Sequence, residues 1–288
     1  KNAKIYKSIL SYRLNVGSSS INDYLDETTN IMSSADNISI KNPQSPSSKL
    51  ISDLVVPEKI TALFHFGRSG TGLLHSLIDG HSKVSTLPSI YFSEFFDHFI
   101  WNKIIADGWR EMANNFTKIY AILFDASSST KIATKGMASI YNLGQKEGMT
   151  SVGTQRNEVI SVNKEIFIKE LNDLIDCYDS LDQIVFFRLV HVAYEKALNN
   201  HDKKNQIFYH IHNPDEYAQL NFLRLAPTAN RLMMVREPIQ SCESWIQKDF
   251  NNNKYKNIVN KIFKMLFDID QTMFKKKNSI GIKLEDLK

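Results

Sequence analysis

The chain has 288 residues, 42% of them hydrophobic and 23% charged, a composition that supports a sizeable buried core and excludes fibrous and low-complexity classes. Lys and Arg outnumber Asp and Glu by 35 to 31. The resulting net charge of +4, with pI near 8.8, suits an anionic ligand but is too slight to argue for a nucleic-acid partner. Two cysteines, Cys177 and Cys242, with no CxxC pair, exclude a disulfide scaffold and a cysteine-based metal site.

Residues 1–57 read as an N-terminal extension. A short helix at 6–14 precedes a Ser/Asn/Asp-rich stretch with Pro43 and Pro46, expected to be irregular chain on the surface. The start, Lys1-Asn2-Ala3-Lys4, lacks the apolar core of a signal peptide, and no run of about 18 apolar residues marks a membrane span. With so few cysteines, the expectation is a reducing, cytoplasmic compartment and no membrane span.

The α/β domain is expected over residues 58–288. The apolar, β-rich run at 60–66 reads as a buried parallel strand, and 70–80 carries Leu73, Leu74, Leu77 and Ile78 at helical spacing before Gly80. A short strand at 84–87 follows, then helices at 92–105 and 109–124, a strand at 131–135, and a long polar loop at 142–163. Helices are expected at 164–178 and 181–199. The run at 206–211 reads as a strand, 215–225 as a helix, and 232–235 as a strand. Helices at 238–248 and 254–276 and a last strand at 279–284 complete the pattern. Short apolar strands alternating with helices predict a central parallel sheet flanked by helices on both faces. In such folds ligands bind beyond the carboxyl ends of strands. Three such ends carry polar, ligand-grade residues, at 67–72, 212–214 and 236–237.

The first of these is a candidate anion loop. Gly67-Arg68-Ser69-Gly70-Thr71-Gly72 joins a buried strand to a helix start. Glycines allow a tight turn that exposes successive N–H groups at the positive helix end. Ser69 and Thr71 add hydroxyl donors, and Arg68 adds a planar guanidinium suited to phosphate or sulfate oxygens. Gly67 and Gly72 have the separation of a Walker A loop, but Leu73 and Leu74 stand where its Lys and Ser/Thr belong. The spacing G-x-x-G-x-G also fails the dinucleotide fingerprint. The loop therefore fits a phosphate ligand without a metal-bound triphosphate. A second anion contact is available where Arg236 closes a strand and Ser244 stands eight residues later on the following helix.

Together these motifs resemble the PAPS-dependent sulfotransferases, whose donor is 3′-phosphoadenosine 5′-phosphosulfate. Phe66-Gly67-Arg68-Ser69-Gly70-Thr71-Gly72-Leu73-Leu74 resembles the family's 5′-phosphosulfate loop, in the Arg-Ser-Gly-Thr form of tyrosylprotein and many bacterial members. Leu232-Met233-Met234-Val235-Arg236-Glu237-Pro238 through Ser244-Trp245 is similar to the 3′-phosphate motif, and Ile282-Lys283-Leu284-Glu285-Asp286-Leu287 to a late strand motif. The resemblance spans about residues 59–288, in the family's order, with a variable middle. Two departures stand out. Gly72 replaces a hydroxyl residue that many members carry, and the family's nucleotide-covering segment would lie beyond Lys288.

The resemblance implies a P-loop-like three-layer α/β fold and metal-independent transfer of a sulfuryl group from PAPS to a hydroxyl, leaving adenosine 3′,5′-bisphosphate. It implies that Gly67, Arg68, Ser69, Gly70, Thr71, Gly72 and Leu73 hold the 5′ end and Arg236 and Ser244 the 3′-phosphate, with Arg68 also at the leaving group. A general base is expected after the second strand. Glu94, with His98 as alternative or partner, is the candidate, the two lying four apart on the predicted helix and sharing its face. His212 stands where many members have a lysine near the sulfuryl group. Residues 102–205 are expected to be an acceptor-side helical insertion, for a small-molecule, glycan or peptide hydroxyl. The competing classes are a P-loop kinase or NTPase and a non-catalytic binding protein on the same scaffold.

Overall fold

The computed structural model describes residues 38–44, 55–65, 69–88, 92, 94–128, 130–134, 137–141, 150–211, 216–237, 240, 243 and 277–287. Chain contacts divide the protein into Lys1–Ser39 and Ile40–Lys288. Of the first unit only residues 38 and 39 are described, and the architecture below is that of the second.

In chain order the elements are β1 (Ile40–Lys41), β2 (Lys59–His65), α1 (Thr71–Ile78), β3 (Val84–Thr86), α2 (His98–Ile105), α3 (Met112–Ile119), β4 (Thr130–Thr134), β5 (Met137–Tyr141), α4 (Lys164–Ile175), β6 (Ser180–Leu181), α5 (Gln183–Ala197), β7 (Gln206–His210), α6 (Glu216–Leu225), β8 (Asn230–Val235) and β9 (Ser279–Lys283), closed by a 3₁₀ turn at Leu284–Leu287. Five strands form one parallel sheet in the order β3-β7-β2-β8-β9. The predicted class, α/β with a parallel central sheet flanked by helices in three layers, is the one observed. Among the described residues no helix is long and apolar enough to cross a membrane.

Alternation along the strands builds the two faces. Ile60, Ala62 and Phe64 of β2, with Ile207 and Tyr209 of β7, turn toward α2, α3, α5 and α6. Leu63, Phe208 and Met234 turn the other way, toward Leu74 of α1 and Leu284 beyond β9. The first face carries the larger core, built on aromatic rings. Phe92 and Phe187 stack at 5.5 Å between centroids, and Phe96 meets Phe187 at 5.0 Å and Phe222 at 5.0 Å.

Three expectations change. The helix expected from residue 92 begins at His98, because the carbonyls of the preceding turn are already taken. The hydroxyl of Tyr209 donates to Phe92 O (3.0 Å), Gln183 Nε2 to Phe95 O (2.7 Å) and Asn221 Nδ2 to Phe96 O (2.7 Å). Asp97 then caps α2 by accepting from Phe99 N at 2.8 Å. The helix expected over 109–124 is a 3₁₀ turn, α3 and a second 3₁₀ turn. The strand expected at 131–135 is one arm of an antiparallel hairpin with β5. Within the expected extension, Ile40 and Lys41 pair antiparallel with Leu181 and Ser180. The predicted helix at 6–14, the loop at 142–149 and the helices at 238–248 and 254–276 lie outside the described residues, Gln240 and Glu243 excepted.

His191 of α5 is buried in the core against Phe187, its Nδ1 3.0 Å from Ser85 Oγ. Burial pushes its pKa down to about 3, and burial also lowers that of His75 on α1. His191 is therefore neutral in the folded protein even at mildly acidic pH and His75 is shifted toward its neutral form, while the unfolded chain protonates both near pH 6.5. This contribution to stability is complete above pH 6.5 and is lost as pH falls below it, by at most about 1.4 kcal/mol per pH unit for each ring. Urea denaturation at pH 7.5, 6.5, 5.5 and 5.0 should show stability falling through this range. The slope should be shallower in His191→Gln.

Candidate functional site

The register at the sheet centre determines where the candidate loops emerge. In the β2/β8 pair, His65 lies opposite Met234, so the two strands end level with each other. β3 and β7 lie on one side of β2, and β8 and β9 on the other. The chain thus changes direction across the sheet between β2 and β8, which is the position where open α/β sheets leave a ligand crevice. The loop after β2 leads to Ser69 and α1, and the loop after β8 begins with Arg236. The third candidate end is adjacent, since Leu63 pairs with His210 of β7 and Leu63 O accepts from Ile211 N at 2.9 Å.

At the start of α1, Gly70 is the N-cap, with φ 81° and no side-chain cap. By contrast α2, α4 and α5 are capped by Asp97, Asn163 and Asp182, whose side chains accept from first-turn N–H groups. The first turn of α1 also carries no acidic residue. Its leading N–H groups and the positive end of its dipole are thus left for another acceptor. Ser69, 1% exposed, adds a buried hydroxyl that has no hydrogen-bond partner. A buried hydroxyl of this kind costs about 1–3 kcal/mol unless a ligand or water satisfies it. Thr71 is buried beside it, whereas Gly72 is exposed, with open space where a side chain would stand. Leu73 is 44% exposed, and Leu74 is buried in the apolar cluster with Leu63 and Phe208.

On the other side of the crevice, Arg236 is half-buried, and its Nε donates to Gln240 Oε1 at 3.2 Å. Glu237 Oε2 accepts from Gln240 N at 2.8 Å, and Glu237 N donates to Glu285 Oε1 at 3.4 Å. The segment after β9 also reaches α1. A Cβ on Gly70 would lie 2.5 Å from Leu284 Cδ1.

Glu94 is buried in the turn before α2 and not on the helix itself, so the expected sharing of a helix face with His98 is not realised. Glu94 O instead accepts from Asp97 N at 2.9 Å. Its carboxylate influences two buried phenols. Burial first, and then the charge of Glu94, hold Tyr209 well above its ordinary value, and burial, Tyr209 and then Glu94 do the same for Tyr120. Tyr120 Oη has no hydrogen-bond partner. Sequence reasoning missed both tyrosines because no motif marks them, although each lies in a segment that periodicity identified as core-forming.

His98 opens α2, and its side chain lies outside the described residues, as do Gly67, Arg68, His212 and Ser244. Of the expected site, the structure brings together Ser69, Gly70, Thr71, Gly72 and Leu73 at the head of α1 and Arg236 at the neighbouring strand end. Among the described residues, cavities of about 320 and 340 Å³ open near the amino ends of the strands, around Pro57 and Lys204 and around Lys59 and Asn230. Among the described residues no group of His, Cys, Asp and Glu could hold a metal ion. No family model, curated protein or solved structure matches the chain.

Gly70→Ala tests the anion cradle. A side chain at φ 81° costs about 1–2 kcal/mol, and the new Cβ must also displace Leu284. At equal ionic strength, sodium sulfate should raise the thermal midpoint of the wild-type protein above its value in chloride. The increment should be smaller in Gly70→Ala, which keeps only the general stabilising effect of sulfate.

Proposed function

We propose that the protein is a sulfotransferase that moves a sulfuryl group from PAPS to a hydroxyl of an acceptor. The observation that carries this reading is the pair of level strand ends. An uncapped helix start with a buried, unpartnered Ser69 hydroxyl adjoins a loop that opens with an arginine. A nucleotide with a phosphate group at each end of its ribose matches two separate oxyanion contacts across one crevice.

In this reading the N–H groups of residues 70–72 and the hydroxyls of Ser69 and Thr71 hold the 5′-phosphate, the N–H of Leu73 being donated to Gly70 O. Arg68 and His212 stand by the bridging oxygen and the sulfuryl group. Arg236, with its planar set of donors, and Ser244 take the 3′-phosphate. The acceptor oxygen attacks sulfur as the S–O bond to the 5′-phosphate breaks, and that bonding pair leaves on adenosine 3′,5′-bisphosphate. The acceptor proton passes to Glu94, with His98 the alternative base. Catalysis is then mostly positioning and stabilisation of charge on the leaving oxygen. Phosphoryl transfer from a metal-bound triphosphate is less well supported. The position after Gly72, where that chemistry places a lysine, holds Leu73, and the next residue is buried in an apolar cluster. The helices of residues 102–205 are the natural source of the acceptor-side contacts.

Calorimetry with adenosine 3′,5′-bisphosphate in the presence of EDTA should show binding. Arg236→Ala should weaken it by about tenfold to a hundredfold, the range expected for a lost hydrogen bond to a charged group. Turnover of sulfate-labelled PAPS over an acceptor panel then tests the chemistry. Unchanged bisphosphate affinity in Arg236→Ala, or binding of ATP only with Mg²⁺, would contradict the proposal.

A further inference from the structure

We infer that the segment Leu284-Glu285 is a positioning clamp that holds the two phosphate contacts at the spacing of one nucleotide. The inference rests on the sulfotransferase reading above and assigns these two residues a role in donor recognition. Neither is placed to touch the donor in that reading.

Three observations carry it. First, β9 runs parallel to β8, with Val235 opposite Lys283, so residues 284 and 285 emerge beside 236 and 237. Second, Leu284 lies against the turn that starts α1. Its Cδ1 approaches Gly70 so closely that even a methyl group there would meet it at 2.5 Å, and the side chain joins Leu63, Leu74 and Met234 in one apolar cluster. Third, Glu285 Oε1 accepts from Glu237 N at 3.4 Å, in the loop that opens with Arg236. Two consecutive residues therefore touch both sides of the crevice, one by apolar contact and one by a hydrogen bond.

The side chains act on different loops, but they share one backbone. A shift of either loop relative to the other must strain that short piece of chain. A ligand with two phosphates gains from preset spacing, because its second contact forms at an effective concentration fixed by the first. A ligand with one phosphate gains nothing from it. The clamp thus predicts selective loss of the advantage of two phosphates over one, without loss of the individual contacts.

The test uses the full chain and measures Kd for adenosine 3′,5′-bisphosphate, adenosine 5′-monophosphate and adenosine 3′-monophosphate, with thermal midpoints alongside. In Leu284→Ala and Glu285→Ala the bisphosphate Kd should rise about tenfold while both monophosphate values stay within about twofold, in the range of measured coupling between neighbouring groups. Leu284→Met and Glu285→Gln, which keep the apolar contact and the acceptor oxygen, should restore it. If the alanine variants weaken all three ligands alike, or none, the clamp is wrong and the sulfotransferase reading stands. If wild-type protein binds the bisphosphate no better than the monophosphates, both fail.

Discussion

Parallel pairing of β2 with β8 is the constraint from which the candidate site follows. Leu63, Phe64 and His65 lie opposite Leu232, Met233 and Met234; β2 then stops and β8 runs one residue further. After β2 the chain goes to β3 on one side of the sheet, and after β8 to β9 on the other, so the two connections diverge from those neighbouring ends. The proximity of the two loops does not depend on any polar side chain. It is set by backbone hydrogen bonds and by strands apolar enough to be buried on both faces, with Ala62, Leu63 and Met234 fully enclosed. The polar residues after the strands are then presented to one crevice.

The head of α1 shows what that placement leaves available. Three helices, α2, α4 and α5, use an Asp or Asn to satisfy leading N–H groups, at some gain in stability, whereas α3, which continues a 3₁₀ turn, has no side-chain cap. An Asp at position 70 of this chain would place its carboxylate where an incoming anion belongs. Gly70 instead provides the left-handed turn and leaves those donors free of a side-chain cap. The helix is only eight residues long, and packing of Leu74 against the sheet does what capping does elsewhere. Acidic residues are nearby on the β8 side, at Glu237, Glu285 and Asp286, so the positive character of the crevice is local to Arg236 and the helix end and not a broad field.

The sequence disclosed local structure well and long-range bonding poorly. The apolar, β-rich run at 60–66, the glycine turn and the helical spacing of the leucines of α1 depend only on neighbours, and the elements formed within two residues of expectation. The alternation of strands and helices disclosed a parallel sheet but not the order of its strands, since the periodicity of β7 does not say that it separates β3 from β2. The turn at 92–97 was misread as helix for a related reason. Phe92, Phe95, Phe96 and Phe99 have helical spacing, but Gln183, Tyr209 and Asn221 bind the turn's carbonyls, and nothing local announces those partners. The contact of Leu284 with Gly70 is equally silent in the sequence.

Moving Glu94 out of the helix changes what kind of base it could be. On an exposed helix face it would be one member of a Glu–His pair, with its protonation tied to that of His98. In the turn it is buried, on the face of the sheet opposite α1, among rings that do not titrate with it. Tyr120 and Tyr209 are held well above their ordinary pKa and so remain protonated, neutral dipoles wherever the carboxylate is charged. Such neighbours do not compete with the carboxylate for a proton. The same burial limits the acceptor. Phe92, Phe95 and Phe96 are fully enclosed and make up core, not pocket wall, so on the proposed reading an acceptor would have to be contacted by the surrounding loops and helix edges and not by the aromatic cluster.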